Sequence, residues 1–170
     1  MPRFVLLYHE CPPNYERPSH WDLMLEHEPS GTLRTWALAQ LPRDWHQARA
    51  RTQSAHKNCP AASLTNEVPA EALPDHRLAY LEYEGEVSNN RGQVIRIAAG
   101  TYQTEFETPA SWSVTFTGEI VAGQLELTRS TNDDMWILQR FPQLIRTHVN
   151  SNDARSDPSR VGSQNILRNW

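Results

Sequence analysis

Short segments that alternate polar and apolar residues, each closed by a turn, recur along this chain and leave little room for anything but a β fold. Ser111-Trp112-Ser113-Val114-Thr115-Phe116-Thr117 is the clearest example. Side chains on an extended strand point alternately to opposite faces, so such a segment buries one face and wets the other. Ala122-Gly123 turns the chain into Gln124 to Arg129, and after the polar stretch Ser130 to Asp134 comes a last strand, Met135 to Phe141. Upstream, Phe4 to Tyr8 reads as a buried strand ending at His9. The three prolines between Glu10 and Ser19 make that stretch a loop. His20 to Glu26 is the second strand, and Pro29-Ser30-Gly31 turns it into the third, Thr32 to Leu38. Ala79 to Val87 has strand character, Ser88-Asn89-Asn90-Arg91-Gly92 is a hairpin turn, and Gln93–Ile97 and Thr101–Glu107 read as two strands parted by a kink or bulge at Ala98-Ala99-Gly100.

Strands at about 8–12-residue spacing predict a sandwich or a barrel. Closure favours the barrel, because it removes exposed edges. The expected fold is therefore mainly β, a compact closed or nearly closed barrel of about eight strands with few short helices. Arg43 to Arg51 could form a short helix with Asp44 as its cap, but a solvated loop exposing His46, His56, Lys57 and Cys59 is the expectation. The Pro, Glu and Ala mixture from Ala62 to Ala72 reads as connecting structure. Beyond Pro142 apolar residues become few, so the domain is expected to span 1–141 and a polar, disordered tail 142–170.

A chain of 170 residues suits one such domain. Its net charge of -4 argues against tight, sequence-independent duplex binding. A nucleic-acid end or a small phosphorylated molecule needs only a few well-placed cations and fits this charge better. No apolar run approaches the ~20 residues of a membrane span, so no membrane partner is expected. The N-terminus lacks a signal-peptide pattern, and Cys11 and Cys59 form neither a metal motif nor a disulfide framework. A cytoplasmic protein with reduced thiols is the expectation.

The candidate chemistry gathers around His20-Trp21-Asp22-Leu23-Met24-Leu25-Glu26. On a strand, His20, Asp22, Met24 and Glu26 share one face and Trp21, Leu23 and Leu25 the other. His20 and Asp22 could reach one ion if His9 supplied a third ligand. Two imidazoles and a carboxylate would hold Mn²⁺ or Zn²⁺ and leave positions open for water and substrate. Spacing alone does not establish this, because His-x-Asp pairs also occur on ordinary half-buried strands. His76 and Tyr80 form a second candidate pair that could donate to one anion, and Arg34 and Arg77 are the arginines closest in sequence to these groups.

Taken in order, Phe4-Val5-Leu6-Leu7-Tyr8-His9, then His20 to Glu26, Leu33-Arg34-Thr35-Trp36-Ala37-Leu38, Asp75-His76-Arg77-Leu78-Ala79-Tyr80 and Tyr83-Glu84-Gly85 resemble the 3'-phosphoesterase module of bacterial DNA ligase D. That module carries a His-Tyr-Asp-Phe-Arg-Leu-Glu run, a Lys-Ser-Trp-Ala-type strand, an Asp-His-Pro-Leu-x-Tyr segment and a Phe-Glu-Gly. The similarity runs from Phe4 to about Phe141, closing on Trp136-Ile137-Leu138. It implies a compact β-barrel that uses manganese, with Zn²⁺ or another divalent cation as the alternative, to remove a 3'-terminal phosphate or ribonucleotide from DNA ends. It also implies a monomer working with DNA end-joining proteins. His9, His20 and Asp22 match the metal ligands, His76 a phosphate-contacting histidine and Tyr80 a tyrosine near it. Arg34 is expected to join His76 in stabilising phosphoryl charge.

Two departures bear on catalysis. The arginine of the family's metal strand is Met24 here, and the lysine after the Trp-Ala strand falls near Gln40. The family's Gly-rich segment is shortened to Ser88–Gly92. The expectation is thus a stand-alone phosphoesterase-like hydrolase, or else a non-catalytic barrel that binds a phosphorylated ligand or DNA end.

Overall fold

The structure, a computed structural model, describes residues 1–56, 59–131 and 135–141. The expected tail, 142–170, lies outside the described residues, as does Lys57. The strands are β1 (Arg3–Glu10), β2 (His20–His27), β3 (Thr32–Leu38), β4 (Glu67–His76), β5 (Gly85–Glu86), β6 (Gln93–Thr108), β7 (Ser111–Gly118), β8 (Gly123–Arg129) and β9 (Met135–Arg140). One α-helix, α1 (His46–Ala55), and short 3-10 turns at Arg43–Trp45 and Leu78–Leu81 complete the described chain.

Hydrogen bonding runs in the order β1-β2-β3-β4-β9-β8-β7-β6, and β6 pairs back onto β1 to close an eight-stranded antiparallel barrel. All of its pairings are antiparallel. Phe4, Leu6, Tyr8, Trp21, Leu23, Leu25, Trp36 and Leu38 belong to a single cluster with Trp112, Val114 and Phe116, which fills the barrel. The opposite parity, Val5, Leu7, Met24 and Leu33, forms a second buried cluster outside the wall with Leu81, Val87 and Val94. The 78–87 segment therefore lies over the outer face of β1–β3, and this face carries His9, His20 and Asp22.

Several elements differ from the sequence expectation. Residues 43–55 are helical and ordered; α1 is tethered by Trp21 Nε1–H, which donates to Thr52 Oγ1 at 3.0 Å in the core. No side chain caps α1. His56, expected in solvent, has a buried side chain beside the Tyr8 ring, with Nδ1 3.1 Å from Glu10. The connecting stretch before His76 is β4, paired with β3 and β9 despite Pro69 and Pro74. Ala79 to Val87 is a 3-10 turn and a two-residue strand, not a long strand. The two strands expected around Ala98–Gly100 are one continuous strand, β6.

Candidate metal centre

Direct register places His9 opposite His20 and Leu7 opposite Asp22 on β1 and β2. Residues paired across an antiparallel ladder share a face, so both imidazoles and the carboxylate stand on the outer wall. Their rings are 5.0 Å apart between centroids. His9 Nδ1 lies 3.6 Å from Asp22 Oδ2, and His20 Nε2 lies 3.2 Å from Asp22 Oδ1. All three are shielded, with side-chain exposures of 12% for His9 and 5% for each of the other two.

The far nitrogen of each ring is fixed. His20 Nδ1–H donates to the Pro18 carbonyl at 2.8 Å, and His9 Nε2–H donates to the Arg91 carbonyl at 2.8 Å. A carbonyl can only accept, so these contacts set the tautomer and leave His20 Nε2 and His9 Nδ1 facing the carboxylate. Metal-ligating histidines are held in this manner by their second nitrogen. With His20 neutral and its one proton on Nδ1, the buried Asp22 Oδ1 meets no hydrogen-bond donor. Ligands about 2.0–2.2 Å from one tetrahedral cation stand roughly 3.3–3.6 Å from one another. Each ring nitrogen stands close to that distance from one oxygen of Asp22. The donor set and the orphaned oxygen fit a divalent cation.

The electrostatics point the same way. Burial alone would raise the Asp22 carboxyl, but the facing His20 and His9 rings more than reverse this and hold it at about 2. Burial acts to lower His20, yet Asp22 and the Pro18 carbonyl raise it overall. A proton on His20 thus substitutes for the positive charge that the carboxylate demands. Cys11 offers a rival ligand set, since its sulfur lies with one nitrogen each of His9 and His20 within 4.8 Å. However, Cys11 Sγ approaches His20 at Nδ1, 3.9 Å away, which Pro18 already engages. Burial, and then the charge of Asp22, push the Cys11 thiol up to about 11 in the metal-free fold. Asp22 is the third member of the other set, facing His9 Nδ1 and His20 Nε2.

A groove of about 770 Å³ borders this cluster through Cys11 and Ser19. Glu10, Pro12 and Pro13 form one bank with them, and Glu86, Asn89, Asn90 and Gln93 the other. Gly92 lets the second bank close. Its φ is +95°, and a Cβ there would stand 1.9 Å from the Glu10 carbonyl oxygen. That close approach brings the Arg91 carbonyl to His9.

The other expected residues lie elsewhere. His76 pairs with Leu33, which pairs with Glu26, so it is level with the far end of β2. Four residues of strand, ~13 Å, separate that level from Asp22. The His76 and Tyr80 rings pack edge to face at 5.3 Å, and His76 Nδ1 is buried without a partner. Among the described residues no hydrogen bond or ion pair joins them to the metal cluster. Arg34 requires a correction. It shares the inward parity of Trp36, lies over the Trp36 and Trp112 rings at 5.4 and 4.8 Å, and pairs with Glu107 at 2.8 Å. It sits across the wall from Asp22, because strand parity sends residues 34 and 35 to opposite faces.

Sequence reasoning also missed Arg17. Both terminal nitrogens of its guanidinium donate to Glu71, at 2.8 and 2.7 Å. Glu71 pairs with Ala37, which pairs with Asp22, so the three form one row on the outer wall. Proline-rich loops carry no periodicity, and nothing in the spacing announces that row. No protein-family model matches the chain, and neither does any curated protein.

Proposed function

We propose that this chain is a metal-dependent phosphoesterase that acts on a nucleic-acid 3' end or on a small phosphorylated substrate. Mn²⁺, or another divalent cation such as Zn²⁺, is held by His9, His20 and Asp22. The observation that carries this is the convergence of His9 Nδ1, His20 Nε2 and the Asp22 carboxylate, with both outer ring nitrogens pinned to carbonyls. A cation bound there supplies Lewis-acid stabilisation of phosphoryl charge and a nucleophile at neutral pH. The chain's own residues do the rest. Pro18 and Arg91 orient the rings, Asp22 offsets part of the added charge, and the adjoining groove gives a substrate room beside Cys11 and Ser19. The resemblance to the DNA ligase D 3'-phosphoesterase module adds the strand-end substrate and the end-joining partners. The separation of His76 and Tyr80 from the cluster suits a substrate long enough to touch both.

The test is a primer ending in a 3'-phosphate or 3'-ribonucleotide, offered with Mn²⁺ to the wild type and to His20→Ala. Turnover by the wild type and its loss in the variant is the expected result. No turnover with any divalent metal sinks the enzyme assignment.

One observation favours a second reading, a barrel that binds a phosphorylated ligand or DNA end without cleaving it. Met24, two residues beyond Asp22 on the same face, is buried in an apolar cluster where a cation could have stood. Retained binding with no hydrolysis selects that reading.

A further inference from the structure

Phosphoryl groups carry more negative charge than one divalent cation bound by a carboxylate can offset, so a side-chain cation beside the cluster would matter to any phosphate ligand. Arg17 is so placed. It lies on the β1–β2 loop immediately before Pro18, whose carbonyl orients His20. Its partner Glu71 stands in the same outer-wall row as Asp22, with Ala37 between them. Two strand spacings of about 4.8 Å separate the ends of that row. The guanidinium is held at Glu71, on the same outer wall as Asp22.

The pairing with Glu71 is fork to fork, through one hydrogen on each terminal nitrogen. A guanidinium has five N–H donors. The Nε–H and one hydrogen on each terminal nitrogen are not used by that pair. Its side chain is 30% exposed, against 49% for Glu71, so a ligand in solution can reach it. A bidentate carboxylate fixes the plane of the fork, which prepares the remaining donors for a tetrahedral anion.

We infer that Arg17 is the anion-binding residue of this centre, contacting a phosphoryl oxygen of the ligand, and that Glu71 is its positioning residue. The inference rests on the proposed metal centre and names the cation that serves it. Arg17 is carried on the loop and not on the metal strand, so residue 24 is free to be apolar.

The experiment titrates inorganic phosphate into the Mn²⁺-loaded full chain by calorimetry, for the wild type, Arg17→Ala, Arg17→Lys and Glu71→Gln. Mn²⁺ affinity is measured first in each, and serves as the check on folding. Arg17→Ala is expected to keep Mn²⁺ affinity within about twofold and to weaken phosphate by roughly tenfold or more, as loss of a charge-assisted contact does. Arg17→Lys restores part of the phosphate affinity by returning the charge. Glu71→Gln weakens it by a smaller factor, and in turnover shows as a raised KM with little change in kcat. Unchanged phosphate affinity in Arg17→Ala overturns the inference, as does a wild type that binds Mn²⁺ but no phosphate. Failure of the metal centre looks different: His20→Ala then leaves Mn²⁺ affinity at the wild-type value. In that event the same phosphate titration on metal-free protein decides for or against Arg17.

Discussion

Asp22 and Met24 occupy the same face of β2 two residues apart, and their surroundings are opposite. Asp22 meets two imidazoles, whereas Met24 is 1% exposed among Val5, Leu7, Leu33, Leu81 and Val87. The outer wall is thus divided into a polar end at the metal cluster and an apolar end that seats the 78–87 segment. Met24→Ala leaves a cavity under that segment, and a loss of about 2–5 kcal/mol in unfolding free energy is expected. Urea denaturation checks it. A change indistinguishable from zero would mean that the outer cluster contributes nothing to the fold.

On the proposed metal centre, metal and proton would compete for His20. Its folded-state pKa is raised above 6.5 by Asp22 and Pro18 against the opposing effect of burial. Binding a cation at Nε2 must release that proton, so apparent Mn²⁺ affinity falls ~tenfold per pH unit below the raised pKa. The metal-free protein has the opposite slope. Stability from the His20 proton is complete below the unfolded value of about 6.5 and disappears as pH rises through the folded value. Free Mn²⁺ measured by its EPR signal, alongside thermal melts with and without metal, should show the two slopes crossing.

Asp22 governs the acid side. Its pKa moves from 3.8 to about 2 in the metal-free fold. A depressed carboxyl stabilises above its unfolded pKa, and the contribution, about 2 kcal/mol, is lost as pH falls from near 3.8 toward 2. Asp22→Asn is expected to erase that step from a pH series of melts and to weaken Mn²⁺ by at least about tenfold. Survival of full Mn²⁺ affinity in this variant would point to Cys11 as the third ligand.

Gly92→Ala probes the second bank of the groove. The added Cβ would collide with the Glu10 carbonyl, and the turn must shift. The Arg91 carbonyl moves with it, releasing His9 Nε2. Loss of such an orienting bond lowers metal affinity by roughly 10–100-fold. Asn90→Gly, at a residue whose φ is +54°, relaxes the same turn and is expected to leave affinity unchanged. Equal affinities in the two variants would dissociate the Arg91 carbonyl from metal binding.

The barrel and the common face of His20 and Asp22 were legible in sequence because both rest on the two-residue strand period. Trp21, Leu23 and Leu25 face inward, and His20 and Asp22 outward, as alternation requires. What was missed depends on partners distant in sequence. β4 contains two prolines, which deny it a strand pattern, yet β3 and β9 supply the pairing on either side. The kink or bulge expected at Ala98–Gly100 is a register shift between Arg96 and Ala98 within one continuous strand, and Gly100 is needed because a Cβ would collide with the Thr117 carbonyl. Arg34 was assigned to the site by nearness in sequence, and parity placed it inside. Arg17 and the Pro18 and Arg91 carbonyls could not be found from spacing at all, since their roles come from loop and turn backbone.

The closure of β6 onto β1 also sets when the centre can exist. His9 gains its orienting carbonyl from a residue 82 positions later in the chain. As the chain is synthesised, β1 and β2 can pair at once, but His9 stays unfixed until β6 has arrived and the barrel has sealed. Contacts that distant form slowly. A tight site in the nascent hairpin would capture whichever metal came first. On the proposed centre, the chain would complete its wall before it could hold an ion firmly, so metal choice would fall to the folded barrel.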